Sequence, residues 1–174
     1  MFRVRRRAIV AKQRGLTSGE IDLARKAFAN QIVYGRVKIS DGPGNNFAAH
    51  IAFAKGNPAI TLGSTIYFKR DYCSDFCAVG KDRKSFLHEM THVWQYQRLG
   101  MTSFLLRYGE EFLKVGGNAD EMYVYKKGVT KFGEAMIEAQ ASMVGDYSEA
   151  LWAGNDQQKA KLAKNLAGSG LYGL

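Results

Sequence analysis

The first half of the chain alternates apolar residues with polar or small ones in a way that is typical of half-buried strands. Residues 33–39 alternate in this manner, and residues 47–54 form a second stretch that we predict to be extended. The run at residues 59–68 predicts one or two further strands with a bend at Gly63. Together these segments predict a small sheet of mixed or antiparallel strands.

Helical spacing of apolar residues predominates in the rest of the chain. Thr17 and Glu20 have the spacing of a capping box and begin the first helix. A later helix is capped by Asp82 or Ser85 and stopped by Gly100. The predicted helices cover residues 17–30, about 82–99, 101–115, 131–152 and 157–166. The pattern therefore predicts an α+β fold whose C-terminal half is mostly helical.

These elements predict one folded domain with a short extension at each end. A chain of 174 residues can bury one sizeable core, whereas two full domains would be cramped. We assign residues 1–14 to a basic N-terminal arm, residues 15–153 to the domain and residues 154–174 to a polar tail. We expect the tail to contain a solvated helix and a loose Gly-rich end, and its membership of the domain stays open.

Composition is that of an ordinary globular protein, with 46% hydrophobic and 24% charged residues. No apolar run approaches the roughly 20 residues that cross a bilayer. The basic start is followed by only four apolar residues before Lys12. A signal-peptide core needs about 7–15. We therefore expect no signal peptide and a protein that is cytoplasmic when made, unless dedicated machinery exports it.

The net charge of +9 is concentrated at the N-terminus. Six basic residues precede Glu20, the first acidic one: Arg3, Arg5, Arg6, Arg7, Lys12 and Arg14. Such an arm can contact nucleic acid, anionic lipid or an acidic envelope polymer, or it can be a solvated tail. No aromatic residue is interleaved at residues 5–12, so the sequence does not indicate a platform for stacking nucleic-acid bases.

The two cysteines, Cys73 and Cys77, leave two interpretations open. Their spacing lacks the second Cys-x-x-Cys pair of a zinc ribbon. A local disulfide requires an oxidising compartment. We slightly prefer two buried free thiols.

The strongest chemical signal is the His-Glu-x-x-His motif of His88, Glu89 and His92. Residues four apart share a helix face, so both imidazoles can reach one metal ion. Glu89 projects about 100° round the helix, beside the metal, where a general base belongs. The surrounding residues are apolar, namely Phe86, Leu87, Met90, Val93 and Trp94. A buried helix with these polar groups predicts a zinc site, the alternative being histidines that hydrogen-bond to core neighbours.

A catalytic zinc has three protein ligands, so a third must be found elsewhere. The position six residues after His92 is Arg98, which departs from the metzincin pattern. No histidine follows His92, and His50 lies upstream on a predicted strand. A downstream carboxylate therefore remains the main candidate.

Three segments resemble the zincin-like metallopeptidase domains of bacterial toxins, effectors and Vgr-associated proteins. They are residues 59–68 (AITLGSTIYF), 86–95 (FLHEMTHVWQ) and 138–141 (EAQA). The resemblance covers about residues 16–152 and implies a gluzincin-type fold in which a glutamate on a later helix is the third zinc ligand. Glu138 matches that position, whereas Ser142 stands where the family often has a second acidic residue.

The helical pattern alone does not single out Glu138. This residue lies at the edge of the apolar stripe of its predicted helix, near Ala141 and Gly145, whose small side chains permit close packing. Glu134 lies one turn earlier on a similar face and is its main rival. The other candidates left open are Asp120, Asp146, His50 and Glu149.

The expected reaction is zinc-dependent hydrolysis of peptide bonds, with Glu89 taking a proton from water and delivering it to the leaving amine. Tyr123 and Tyr125 are candidates, by position only, for holding the oxyanion or substrate. The resemblance implies a secretion-system effector or envelope peptidase, exported to the periplasm or a target cell. Its expected partners are a peptide or peptidoglycan stem-peptide substrate and an immunity or secretion-apparatus protein. The alternatives are a non-catalytic zinc-stabilised module and, less favoured, a nucleic-acid binder using the arm.

Overall fold

The structure is a computed structural model, and it describes residues 12–69, 74–78 and 82–174. Its sheet has four short strands: β1 (Lys12–Gly15), β2 (Lys38–Asp41), β3 (Ala59–Leu62) and β4 (Thr65–Phe68). The strand order is β1-β2-β4-β3, with β2 parallel to β4 and the other two pairs antiparallel. The sheet is therefore mixed, and β3 lies at one of its edges.

Within the described residues, six α-helices surround and extend this sheet. They are α1 (Ser18–Phe28), α2 (Phe47–Ala54), α3 (Arg83–Leu99), α4 (Met101–Lys114), α5 (Ile137–Trp152) and α6 (Asp156–Leu166). Short 3₁₀ turns occupy Tyr34–Arg36, Ala119–Tyr123, Phe132–Glu134 and Leu171–Gly173. None of the described helices is long and apolar enough to cross a membrane. The α+β class with a mostly helical second half is confirmed.

The capping box at the start of α1 forms as predicted and does more than begin a helix. The Thr17 hydroxyl accepts a hydrogen bond from the Glu20 backbone N–H, and the Glu20 carboxylate accepts one from Thr17. Glu20 is fully buried and also forms a two-pronged ion pair with Arg14 of β1. Its Oε1 also accepts a hydrogen bond from the backbone N–H of Phe76 at 3.0 Å. One carboxylate thus joins the first strand, the first helix and the segment at residues 74–78.

The hairpin of β3 and β4 turns at Gly63, which has φ +63, so the predicted bend is confirmed. Other strand predictions were wrong. Residues 34–36 form a 3₁₀ turn, and the strand begins only at Lys38. Residues 47–54 form helix α2, because Asn46 caps the Ala49 backbone N–H and the buried Ala49, Ala52 and Phe53 have helical spacing.

The helix predicted for residues 131–152 begins later than expected. Residues 132–134 form a 3₁₀ turn, Ala135 and Met136 are extended, and α5 starts at Ile137. Glu138 therefore lies in the first turn of α5 rather than in the middle of a long helix. This places its carboxylate near the positive end of the helix dipole.

The expectation of a solvated helix and loose end after residue 154 was wrong. Leu162, Leu166 and Leu171 are fully buried in the main hydrophobic core. Buried Asn165 of α6 donates to the carbonyls of Lys126 and Thr130 and accepts from a backbone N–H in the same loop. The C-terminal segment is part of the packed core.

Parts of two other expectations lie outside the described residues. Residues 1–11 of the basic arm are not among them, whereas residues 12–14 form strand β1. Cys73 is also outside, so the choice between a disulfide and free thiols stays open. Cys77 is described, and its thiol donates to Asp75 at 3.1 Å.

Candidate metal centre and active site

Helix α3 carries the two histidines of the motif on one face. Their Nε2 atoms lie 3.2 Å apart, with His92 buried and the side chain of His88 16% exposed. The helix is capped by Asp82, which accepts from Ser85 N–H, and it runs without a break to Leu99. The predicted helix thus gives the one-turn spacing that a shared ligand requires.

The Glu138 carboxylate completes a compact group with these imidazoles. Its Oε2 lies 3.1 Å from His92 Nε2 and 3.3 Å from His88 Nε2. A tetrahedral ion with bonds of about 2.0–2.1 Å separates its ligand atoms by about 3.3 Å. The three edges of the observed triangle match that separation, so these side chains could hold one metal ion.

A network of amides fixes the tautomer of His92. Gln95 Nε2 donates to the Ile137 carbonyl at 3.1 Å and to Gln140 Oε1 at 2.9 Å, which turns Gln95 Oε1 towards His92 Nδ1 at 2.8 Å. Gln140 is oriented in turn by donating to the carbonyl of Phe132. His92 Nδ1 therefore carries a proton, and the Nε2 lone pair faces the carboxylate. Either a second proton or a metal cation must lie between these two acceptors.

The pKa values of the group agree with this requirement. Burial disfavours the charged form of His92, but the Glu138 carboxylate, together with Glu89 and the Gln95 hydrogen bond, outweighs it and raises the pKa of His92 to about 9. Burial likewise opposes ionisation of Glu138, yet the two imidazoles hold the pKa of that carboxyl well below its ordinary range. The site is thus built to carry a negative carboxylate against a positive charge.

Buried Glu111 and half-buried Arg107 on α4 hold the start of α5, and with it Glu138. The capping residue of α5, Met136, makes no side-chain cap, and Glu111 Oε2 instead accepts from Ile137 N–H at 2.7 Å. Arg107 binds Glu111 Oε1 at 2.7 Å and donates to the Ala135 carbonyl at 2.9 Å. Glu111, which is distant in sequence, therefore caps the start of α5 in place of the residue that precedes the helix.

Glu89 lies beside the triad and contacts the sheet. Only 8% of the residue is exposed, and its Oε2 accepts from the hydroxyl of Thr61 on β3 at 2.7 Å. The carboxylate thus lies at the junction of α3 and the edge strand. It has the position beside the histidines that a general base would need.

The structure separates the two tyrosine candidates. The ring of Tyr123 stacks on that of His88 with centroids 5.8 Å apart, and the residue lines the cavity at the site. Partial burial and the Glu138 carboxylate raise the pKa of Tyr123 above its ordinary value. Tyr125 instead donates to Asp146 at 2.6 Å and is not among the described residues that line the cavity.

The remaining ligand candidates lie in other surroundings. His50 is exposed on α2, with Nε2 2.8 Å from the Gly44 carbonyl, and Glu134 is exposed in its 3₁₀ turn. Asp146 and Glu149 both pair with Lys84. Asp120 lines the cavity but is not in the group with the histidines. Within the described part of the chain, the structure brings only Glu138 to His88 and His92.

A cavity of about 750 Å³ opens over the triad. One wall is edge strand β3, and another carries the aromatic side chains of Tyr96, Phe104 and Tyr108. Asp82 and Asp120 add negative charge, and no Lys or Arg occurs among the described lining residues. The cavity therefore combines an apolar wall, a strand edge and acidic lining residues.

Comparison with known proteins agrees with part of the sequence resemblance. The chain is 28% identical over 141 residues to the type VI secretion system spike protein VgrG2b of Pseudomonas aeruginosa, and the match covers 77% of the chain. Its structure is similar to the effector domain of Pseudomonas aeruginosa VgrG2b, with a TM-score of 0.65 and 26% sequence identity. That similarity covers 89% of this chain and 82% of the other. The chain is a homologue of the VgrG2b effector domain.

This homology concerns one portion of a much larger relative. The match covers 13% of the length of the VgrG2b spike protein. No protein-family model matches the sequence. The similarity to the VgrG2b effector domain supports the Vgr-associated part of the resemblance, and the zincin-like assignment stays a prediction.

Several residues of the site were not identified from the sequence. Gln95 and Gln140 belong to the quoted motifs, but only the structure gives them a role in orienting His92. Thr61 and Glu111 come from other elements, and no local spacing links them to Glu89 or Ile137. The sequence contained one signal for the role of Gln95, because this residue lies three positions after His92 on the same predicted helix and can therefore reach its side chain.

Proposed function

We propose that the chain is a zinc-dependent peptidase effector delivered by a bacterial type VI secretion system. Two observations support the proposal: homology to the VgrG2b effector domain, and the triad of His88, His92 and Glu138 with its ligand atoms 3.1–3.3 Å apart. The triad carries most of the argument, because a buried carboxylate facing two imidazole nitrogens needs a second proton or a metal ion, and one metal ion would satisfy all three ligand atoms at once. Zinc suits a set of two histidines and one carboxylate.

Zinc held by His88, His92 and Glu138 would lower the pKa of a water towards about 7 and polarise the scissile carbonyl. Glu89, in this proposal, accepts a proton from the attacking water and delivers it to the amine that leaves. Gln95 keeps His92 in the tautomer that presents Nε2 to the site. Tyr123, on the cavity wall beside His88, is the better of the two tyrosine candidates for donating a hydrogen bond to the developing oxyanion.

The cavity favours a peptide substrate. An extended peptide can add to the outer edge of β3 through main-chain hydrogen bonds, which places its carbonyls along the cavity wall. The acidic residues and the absence of basic side chains among the described lining residues disfavour a polyanion such as nucleic acid. A protein segment and a peptidoglycan stem peptide both fit this description.

Two measurements test the proposal. Purified protein would be analysed for zinc by mass spectrometry, and then incubated with fluorescein-labelled casein and with purified peptidoglycan sacculi, with and without chelator. We expect one zinc per chain and chelator-sensitive cleavage of one of these substrates. Glu89→Gln should retain the zinc and the fold while turnover falls at least about 100-fold, since a general base contributes roughly 10²–10⁴-fold.

Glu110→Gln is the matched control, because Glu110 is an exposed glutamate on α4. It should cleave at the wild-type rate. Wild-type turnover in Glu89→Gln would remove the assigned base. Stoichiometric zinc without cleavage of either substrate would favour the non-catalytic zinc-stabilised module instead. Tight, salt-sensitive DNA binding in place of either would favour the nucleic-acid binder.

A further inference from the structure

We propose that Thr61 is a positioning residue that holds the Glu89 carboxylate in the geometry needed for proton transfer. The inference rests on the proposed function, since it concerns the base of that reaction. It assigns a catalytic contribution to a residue of edge strand β3, outside the histidine motif.

The contact is short and enclosed. Thr61 Oγ1 lies 2.7 Å from Glu89 Oε2, and the two residues are 6% and 8% exposed. The same hydroxyl lies 3.3 Å from the backbone carbonyl of Glu89. A hydroxyl has one proton to donate, and the shorter contact to the charged oxygen is the stronger of the two. The proton therefore goes to the carboxylate.

A glutamate needs such a partner to serve as a base. Its side chain has several rotatable bonds, and a base must stay within hydrogen-bond distance of the proton that it takes. With Oε2 engaged by Thr61, Oε1 is the oxygen left for the reaction. Thr61 is itself held, because its β-branched side chain is stiff and its backbone pairs with Ile66 in the hairpin.

The position of Thr61 also connects the base to the cavity wall. Residues 59–62 form the edge strand along which we propose that the peptide binds, and Thr61 is one of the residues that line the cavity. A peptide that adds to this edge would therefore bind the strand that also orients Glu89. Docking of substrate and alignment of the base then depend on the same backbone.

Thr61→Val and Thr61→Ser test this role. Valine keeps the branched shape and removes the donor, whereas serine keeps the donor and removes a methyl group. On whichever of casein and peptidoglycan the wild type cleaves, we expect kcat to fall about 10- to 100-fold in Thr61→Val, which is part of the contribution of a well-placed base. KM should stay within about twofold, and Thr61→Ser should retain at least about a third of wild-type kcat. Thr65→Val, on the neighbouring strand β4, is the control and should match the wild type.

Crystal structures of the variants give a readout that does not depend on turnover. We expect the Glu89 carboxylate to leave its wild-type position in Thr61→Val, and to keep it in Thr61→Ser. Thr61→Ala provides a second donor-free variant for the same comparison if the valine protein does not fold. An unmoved carboxylate in the donor-free protein, or equal loss of kcat in the serine and valine variants, would overturn the proposal. Absence of cleavage of both casein and peptidoglycan by the wild type would count against the proposed function, while the structures would still decide the role of Thr61.

Discussion

Replacing Glu111 should destabilise the protein and weaken metal binding together, although Glu111 does not contact the triad. Its Oε2 accepts from Ile137 N–H at 2.7 Å, and its Oε1 binds Arg107 at the same distance. Glu111→Ala would leave the first N–H of α5 without its partner and Arg107 without its carboxylate. Glu138 is the next residue along this helix, so its position depends on the same cap.

The magnitude follows from the two lost contacts. Loss of a helix cap costs about 0.5–2 kcal/mol, and a hydrogen bond to a charged group contributes about 1.5–3 kcal/mol. The side chain of Arg107 is 35% exposed, so its contact with Glu111 is partly screened and we take the lower part of that range. A total of about 3 kcal/mol results. For a chain of 174 residues this lowers Tm by about 6–12 °C, and displacement of a supporting residue weakens metal binding about 10- to 100-fold.

Differential scanning calorimetry and zinc titration against a competing chelator would measure both effects. Glu111→Gln should lie between the alanine variant and the wild type, because its carbonyl oxygen can still accept from Ile137 N–H. Glu110→Gln, on the exposed side of α4, should change neither quantity. If Glu111→Ala lowers Tm by less than about 1 °C and leaves zinc affinity intact, α5 does not depend on this cap and the reasoning fails.

Two further predictions concern the C-terminal segment and the buried Asp146 of α5. Leu162→Ala should lower the free energy of unfolding by about 2–5 kcal/mol, since Leu162 is fully buried. The control Leu113→Ala, at a residue that is 77% exposed, should change it by less than about 0.5 kcal/mol. Denaturant titration of the two variants distinguishes a packed α6 from a solvated one. Burial opposes ionisation of Asp146, but hydrogen bonds from Lys84, Tyr125 and Lys127 hold its pKa below the ordinary value. A lowered folded pKa means that this stability is present above the unfolded value of about 3.9 and is lost as pH falls through the folded one. Asp146→Asn should therefore be less stable at pH 7 by about 1–2 kcal/mol, with the gap closing below about pH 4, and a gap independent of pH would exclude this origin.

Local rules predicted the elements whose signals lie within a few residues. The capping box at Thr17, the stop at Gly100 and the bend at Gly63 each occur where the sequence indicates. The same local reading was wrong for residues 47–54, where a short apolar run fits a strand and a buried helix almost equally well. Asn46 was the available signal, because an asparagine before such a run is a good helix cap.

Long-range contacts explain what the sequence did not reveal. The tail looked solvated because its composition is polar, yet Leu162 and Leu166 on one face of α6, together with Leu171 beyond it, anchor it in the core. The start of α5 depends on Glu111, which lies 26 residues earlier in the chain. The pairing of Thr61 with Glu89 spans 28 residues. Such contacts follow from the way the elements pack, which periodicity along one segment does not encode.

The packing of α3 against α5 explains why Glu138, rather than Glu134, meets the histidines. Lys84 near the start of α3 lies beside Gly145, and His92 two turns further on lies beside Glu138, two turns earlier on α5, so the helices run antiparallel. A Cβ on Gly145 would meet the Lys84 carbonyl oxygen at 3.2 Å, which shows how closely the backbones approach. Glu134 precedes the helix and has no place in this register. The small residue noted in the sequence near Glu138 is therefore part of the reason that a carboxylate from one helix reaches two imidazoles on the other.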